Sequence, residues 1–382
     1  MTDEVRTRPK DRRNSIVAAA SAHFHRRGYS GTSLEDIAGD LGITAPAIYR
    51  HFRGKDALYT VALEANLTRL EECVAAADDT RAAGRALAEL GVAHPTLGLL
   101  WRPDRRLRLV DPDGAIERRL GATVEALGRL LAQEAPADLT HLLARSTVAA
   151  VSSTGFYESA LGAGDQSREL EHVIAAVAGF RPQQPLVDLP AAVEAPIARP
   201  WTTRRSALLD ACATLVITRG GYHAVTIEEI AATAGVATAS VYQLFATKAD
   251  LFAAVLRRAV SWAMVAIQQA SSGAATAEQA LDRAVASSLA LSAQHPSWAG
   301  SLADELSSLP EGHLEDVAEA VEQYLAEWLA LCGVVAGPAS PDRVEVRVRA
   351  ALAVIDDRAV GAGDHPVLTV EDTARLVREI LR

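Results

Sequence analysis

The chain has 382 residues, of which 23% are charged and 5% are aromatic, and its formal net charge is −10 at pH 7. This length suits two to four domains, and a sequence rich in alanine and leucine favours helices. No apolar run reaches the roughly 18 residues of a membrane span, and the charged segment 1–10 lacks the apolar region of a signal peptide, so we expect a cytoplasmic protein that does not enter a membrane.

The net charge is unevenly distributed along the chain. Residues 1–60 carry a net charge of +3, residues 199–258 carry +3 again, and the remainder therefore carries −16. Two basic segments in an acidic chain suit a phosphate partner, and the acidic remainder favours solubility. Because +3 over 60 residues is also compatible with an ordinary protein surface, the motifs carry more weight than the charge.

A helix-turn-helix is predicted within the first 55 residues. A first helix with an apolar stripe at helical spacing ends at Gly28, because glycine tolerates the left-handed cap conformation. Ser33 and Asp36 have the spacing of a capping box before a second helix. Gly42 then permits a sharp turn into a third helix at about 44–51. In a helix-turn-helix the second of the two joined helices lies in the DNA major groove.

The third helix of this head is predicted to present small and polar residues outward. Ile48 and Phe52 lie four residues apart and face the core, so their neighbours face solvent. A helix that starts with short side chains can approach base edges, and a tyrosine hydroxyl can donate to a phosphate. A lysine at the start of the next helix lies where the helix dipole also attracts phosphate. The predicted DNA contacts of this head are Ser33, Thr44, Ala45, Pro46, Tyr49, Arg50, His51 and Lys55.

These motifs resemble the TetR/AcrR family of one-component bacterial regulators. The resemblance covers about 45 residues, through the Gly-Tyr pair at 28–29, the Ser-Leu-Glu-Asp-Ile-Ala run at 33–38, the run at 42–52, and Lys55 with Leu58. It implies an all-α fold in which a three-helix head precedes a helical body for ligand binding and dimerisation. It also implies a homodimer whose interface is formed by the last two long helices of each body, with heads roughly 34–36 Å apart.

A proline-rich linker is predicted after the first body. The body itself is expected to start with a long helix at about 57–76, followed by several helices separated at proline-containing breaks. Residues 181–200 then contain five prolines. Proline is excluded from helix interiors and favours extended, polyproline-like chain. At about 3.1 Å per residue, this linker would reach up to roughly 60 Å.

A second head repeats the first. Residues 208–252 align with residues 15–59 without a gap, and 13 of 45 positions are identical. Such a repeat indicates that one module was duplicated within the chain. Gln243 and Leu244 replace an arginine and a histidine of the first head, so we predict weaker DNA binding. Tyr49 and Tyr242 have a second reading, as core tyrosines with a wet hydroxyl. The predicted contacts of the second head are Thr226, Thr238, Tyr242 and Lys248.

The resemblance therefore implies that the chain consists of two tandem TetR-like units in an all-α fold. The predicted domains are a first helix-turn-helix at 1–55, a first regulatory body at 56–180, a linker at 181–200, a second helix-turn-helix at 201–248 and a second body at 249–382.

The simplest assembly is an intramolecular pseudo-dimer. In this arrangement residues 139–160 and 171–180 of the first body pack on residues 342–360 and 370–381 of the second. Because the outward residues of the two heads differ, the double-stranded DNA operator would be an imperfect palindrome. The competing arrangement is a homodimer of tandem chains with four heads.

The resemblance also implies a small, mostly apolar effector that is bound in the bodies. An arginine cluster near residue 105 would suit an anionic effector such as an acyl-coenzyme A, and a solvated loop is the alternative. The aromatic candidates can also be ordinary core or interface residues, since aromatic side chains bury well anywhere. The pocket candidates are Trp101, Phe156, Tyr157, Trp298, Tyr324 and Trp328.

Together these features predict a DNA-binding transcriptional regulator, a ligand-responsive repressor by default. The alternative is a regulator or adaptor in which only the first head binds DNA and the second unit serves assembly or protein interaction. We find no phosphate-binding loop, Gly-x-Ser-x-Gly elbow, paired cysteines or His-Glu-x-x-His motif. We therefore predict no enzymatic activity, no cofactor and no metal site. Salt-dependent retention on DNA separates a regulator from an adaptor.

Overall fold

The computed structural model describes residues 9–29, 31–101, 111, 113–131, 136–188, 203–219, 221–294, 306, 309–360 and 365–382. Within these residues the chain consists of α-helices, three short 3-10 turns and one isolated antiparallel bridge between Val187 and Val367. The predicted all-α fold with two tandem units is confirmed. In the described part of the chain, no helix is both long and apolar enough to cross a membrane.

The first unit starts with a three-helix head, and a helical body follows it. The third helix of the head is shorter than predicted: it spans Ala45–Tyr49 instead of about residues 44–51. The described helices of this unit are α1 (Pro9–Arg27), α2 (Leu34–Asp40), α3 (Ala45–Tyr49), α4 (Lys55–Ala75), α5 (Thr80–Ala93), α6 (Gly98–Trp101), α7 (Ala115–Leu131), α8 (Ala137–Ser152) and α9 (Ala163–Gly179).

The second unit repeats this order of elements. Gly42 and Gly235 occupy equivalent turns with φ of 62° and 68°, a left-handed conformation that favours glycine. The described helices of this unit are α10 (Arg204–Arg219), α11 (Ile227–Thr233), α12 (Thr238–Leu244), α13 (Lys248–Ser271), α14 (Ala277–Gln294), α15 (Glu311–Ala336), α16 (Pro341–Val360) and α17 (Val370–Leu381).

Each head has an apolar core of its own. Ile37 and Ile48 are fully buried in the first head, and the equivalent Ile230 and Val241 are fully buried in the second. Burial of one such side chain stabilises a fold by roughly 1.5–3 kcal/mol. The equivalence shows that both heads are built on the same packing.

The two units share a further core, which we call the seam: α8 and α9 of the first unit against α16 and α17 of the second. Leu143, Val173 and Phe180 of the first unit belong to one buried cluster with Val348 and Leu376 of the second. The helix predicted at 139–160 ends at Ser152 because a 3-10 turn follows it, and α9 starts at Ala163 instead of residue 171. The seam therefore lies where sequence analysis expected contact, with different helix bounds.

Paired charges cross the seam between its apolar residues. Arg145 of α8 pairs with Asp357 of α16 at 2.5 Å. Glu169 of α9 accepts from Arg347 of α16 at 2.8 Å. These pairs join residues about 200 positions apart in sequence, so they fix which helices meet.

The first part of the predicted linker is packed against the second unit. The backbone N–H groups of Gln183 and Gln184 donate to the Asp372 carboxylate at 3.1 Å and 3.0 Å. Val187 exchanges two backbone hydrogen bonds of 2.8 Å with Val367. The prediction of extended chain agrees with residues 181–188, and residues 189–200 lie outside the described part.

Candidate nucleic-acid interface

The N-terminus of α2 is held by Ser33. Its hydroxyl accepts from the Asp36 backbone N–H at 3.0 Å, and the Asp36 carboxylate accepts from the Ser33 N–H at 3.4 Å. The Ser33 hydrogen bonds lower the pKa of Asp36 below its usual range. This reciprocal capping box orients α2 so that the turn at Gly42 directs α3 outward.

Helix α3 exposes most of the residues that were predicted to face DNA. The prediction is wrong for Ala45, which is half-buried and packs against the core of the head. Thr44 precedes the helix without a side-chain cap hydrogen bond, and both Thr44 and Pro46 are exposed. Tyr49 is 57% exposed, and Arg50 is also exposed, whereas Ile48 is fully buried. The alternative in which Tyr49 is a core residue is therefore wrong. A short helix that is anchored by one apolar side chain leaves this face available for a partner.

The start of α4 is tied to the end of α1 through Tyr29. The Lys55 ammonium lies 4.2 Å from the centre of the Tyr29 ring, and the Tyr29 hydroxyl donates to the Asp56 carboxylate. The cation–π contact between Lys55 and Tyr29 holds Lys55 at the positive end of α4, next to α3. The half-buried His51 ring lies 6.4 Å from the Phe52 ring.

The second head reproduces the cap and differs at the start of its third helix. Thr226 and Glu229 form a full capping box, with bonds of 3.2 Å and 2.9 Å. Thr238 is the first residue of α12 and is half-buried. In the alignment of the two heads it corresponds to Ala45, and the exposed Thr44 corresponds to Ala237. Tyr242 is 55% exposed, so its reading as a core tyrosine is wrong as well. The two third helices therefore present different surfaces around one shared tyrosine.

Lys248 is more deeply tied into its head than the sequence indicated. Its ammonium donates to the backbone carbonyls of Tyr222 and Val225, each at 2.9 Å, and lies 4.1 Å from the Tyr222 ring centre. Burial lowers the pKa of Lys248. Because an ammonium has three N–H donors, one is left for a phosphate, and the predicted DNA contact is accompanied by a structural role.

Exposed charge differs between the two heads. The first exposes Arg50 and Arg53, and the equivalent positions of the second are the exposed Gln243 and Ala246. Leu244 is 43% exposed where the first head has a histidine.

The five aromatic candidates in the described part of the chain lie at the seam, at the surface and in the second body. Trp101 lies under the Arg145 guanidinium at 5.0 Å and Tyr157 under the Arg349 guanidinium at 4.8 Å, both at the seam. Phe156 is 44% exposed. Trp298 lies outside the described residues. The Tyr324 and Trp328 rings pack edge to face at 6.4 Å in the second body.

The interior of the first body is almost filled. An apolar cavity of about 10 Å³ lies there, with no aromatic side chain in its lining. Such a volume holds about one water molecule. An open groove of about 960 Å³ runs between α4 and α7 and includes Val74, Ala126 and Arg129. Periodicity in the sequence does not reveal either space, because it does not specify the distance between helices.

Both heads match one family model. The model, described as bacterial regulatory proteins, tetR family, matches residues 16–62 and 208–255. The transcriptional activator FasR of Mycolicibacterium smegmatis is 38% identical over 63 residues, which cover 16% of this chain and 29% of that protein. The transcriptional repressor KstR2 of the same species is 32% identical over 56 residues, 15% of this chain and 27% of that protein. The chain thus matches less than a third of each relative.

Solved structures of this family resemble about half of the chain. The ketosteroid transcriptional regulator KstR2 of Mycobacterium tuberculosis has 21% identity and a TM-score of 0.39, and the match covers 47% of this chain and 93% of that one. The regulator FadR of Bacillus subtilis, solved in complex with stearoyl-CoA, has 20% identity and a TM-score of 0.38. That match covers 46% of this chain and 95% of FadR.

Proposed function

We propose that this chain, whose two heads belong to the TetR family of bacterial regulatory proteins, is a DNA-binding transcriptional regulator. The observation that carries the proposal is the exposure of Tyr49 and Tyr242 on equivalent short helices over buried cores. Each exposed ring can donate its hydroxyl to a DNA phosphate. In a helix-turn-helix these positions face the major groove.

We further propose that the chain acts as a single-chain pseudo-dimer. The packing of α8 and α9 on α16 and α17 supports this proposal, because the family uses the last two helices of each body for dimerisation. The operator would be an imperfect palindrome, since Thr44 and Pro46 are replaced by Ala237 and Ala239 in the second head.

Regulation by a small, mostly apolar effector is part of the proposal. FadR of Bacillus subtilis has been solved with stearoyl-CoA, and the first body here has an apolar interior that is closed in this structure. Binding there would require the helices of the body to separate. A ligand that favours the separated state would shift the protein toward it and thereby change the distance between the heads. Repression is the default because it needs no contact beyond DNA, although the relatives include one activator and one repressor. No enzymatic activity is proposed.

In a second candidate function, only the first head binds DNA. Leu244, exposed where the first head has a histidine, and the two carbonyl bonds of Lys248 favour this alternative. The second unit would then serve assembly or protein interaction.

Genomic footprinting with wild type, Tyr49→Ala and Tyr242→Ala tests both functions. If both heads read DNA, each substitution removes contacts on one half-site and weakens binding by about 1–3 kcal/mol. Loss with Tyr49→Ala alone makes the second head structural. The exposed Val334 of α15, changed to alanine, is the matched control. Unchanged footprints in both tyrosine variants would contradict the role of the tyrosines. No footprint with wild type, or retention without a steep salt dependence, would contradict DNA binding.

A further inference from the structure

A small cavity lies in the seam and is lined by both units. It has a volume of about 30 Å³, enough for one or two water molecules. His141 and Arg145 of α8 contribute from the first unit, and Asp357, Arg358 and His365 contribute from the second. These residues carry no motif in the sequence, because the two that come from the first unit lie more than 200 positions from the three that come from the second.

The cavity has one uncompensated positive charge. Arg145 and Asp357 neutralise each other at 2.5 Å. Arg358 donates from Nε to the Leu368 carbonyl at 2.9 Å, and it forms no ion pair within the described part of the chain. Burial lowers the pKa of Arg358, and Glu371 opposes this from a distance. The terminal N–H groups of this half-buried guanidinium suit an oxyanion, because an arginine fork matches two parallel oxygens.

A second polar side chain, His141, lines the same cavity. The His141 Nε2 atom is buried and has no hydrogen-bond partner among the described residues. Its ring stacks on His365 at 3.9 Å. Burial, aided by His365 and Arg145, lowers the pKa of His141 to about 4, so the imidazole is neutral at pH 7 and can carry its proton on Nε2. Buried polar atoms are normally paired, so this nitrogen is available to donate to a small ligand.

We propose that the seam cavity binds a small monocarboxylate, whose two oxygens accept from the Arg358 guanidinium and the His141 Nε2–H. The apolar wall formed by Leu142, Val354 and Leu368 suits the short carbon end of such a ligand. A phosphate is less suited, because it is bulkier and brings up to two negative charges to a cavity with one uncompensated positive charge.

A ligand in this cavity touches elements that lead to the first head. Arg145 lies over Trp101, the last residue of α6. Gly98, the first residue of α6, lies so close to His25 of α1 that an added Cβ would be 2.8 Å from the imidazole. The His25 Nε2 atom is also 2.7 Å from the Gly155 carbonyl oxygen. One short helix thus connects the cavity to the first head, and an effect on DNA rests on the proposed function.

Calorimetric titration of the full chain with sodium acetate tests the site directly. We expect saturable 1:1 binding that is absent with sodium chloride at equal ionic strength. Arg358→Gln should weaken binding by about tenfold or more, since it removes the only uncompensated charge. Arg349→Gln is the matched control on the same helix, because its guanidinium lies over Tyr157 and does not line the cavity.

His141→Phe provides a second variant that keeps the ring stack and removes the Nε2 donor. It should weaken acetate binding several-fold with an unchanged melting temperature. No saturable heat with wild type, or equal affinity in wild type and both cavity variants, would overturn the proposal. Tighter binding of inorganic phosphate would overturn the carboxylate assignment.

Retention on DNA is measured on the same preparations, in buffer that contains no acetate. A protein that binds acetate and is not retained on DNA would refute the proposed function and leave the acetate site standing. A protein that is retained on DNA and does not bind acetate would refute the acetate site and leave the proposed function standing.

Discussion

Single buried charges give the seam its specificity at the scale of residues. Glu169 is 5% exposed and contacts Arg347 at 2.8 Å and Arg343 at 3.4 Å. The Arg347 guanidinium also donates to the Leu381 carbonyl at 2.9 Å. A buried carboxylate that loses its partner keeps its desolvation cost. The seam therefore depends on pairs that join the two units.

Arg347→Met should destabilise the chain by about 3 kcal/mol, because it leaves Glu169 buried with only the half-exposed Arg343 as partner. Urea unfolding measures this difference. Arg168→Met is the control, since Arg168 and Asp165 form an exposed pair within α9 and such changes stay within about 0.5 kcal/mol. Equal losses in the two variants would show that the buried pair has no special weight.

Close contacts between helices are set at the scale of elements by glycines. Gly128 of α7 faces the start of α8, where an added Cβ would lie 2.8 Å from the Thr140 carbonyl oxygen. Gly91 of α5 is in the same situation, 2.7 Å from a methyl group of Val151. At both glycines there is no room for a methyl side chain, and displacing the close-packed neighbouring helix would cost free energy.

Gly128→Ala should therefore destabilise the first body by about 1–3 kcal/mol through overpacking. Gly121→Ala lies on the same helix with nothing within 4 Å of the added carbon, and it should stabilise by about 0.5–1 kcal/mol because alanine is the better helix former. Thermal unfolding of both variants gives opposite shifts if this reasoning holds. A stabilising effect of Gly128→Ala would contradict the packing argument.

At the scale of the whole molecule, one apolar cluster joins the two units at the seam. Leu143 and Phe180 of the first unit are buried with Trp328, Val348 and Leu376 of the second. The apolar faces of α8, α9, α16 and α17 thereby cover each other within one chain. Each unit keeps its own head, so the heads are free to diverge in their DNA contacts.

We expect the protein to be a monomer in solution, with a mass near that of one chain, 40.4 kDa. The reason is that α8, α9, α16 and α17 already cover each other. Light scattering coupled to size-exclusion chromatography measures this mass without reference to shape. A mass of twice that value would favour the homodimer of tandem chains with four heads.

The sequence by itself determined the heads, because their signals are local. The capping pairs Ser33–Asp36 and Thr226–Glu229, the turn glycines and the apolar spacing each lie within a few residues of the structure they specify. The repeat then showed that the module occurs twice. The same local patterns also indicated that Tyr49 lies on the outer face of its helix.

Only the tertiary structure decided how the two units meet and what the aromatic residues do. Trp101 and Tyr157 lie under arginines at the seam, and the Lys248 ammonium donates to carbonyls of its own head. Arg145 donates a hydrogen bond to Asp357, which lies 212 positions later in the sequence. Such pairings depend on the distance and angle between packed helices, and helical periodicity states which face is apolar without stating which partner will cover it.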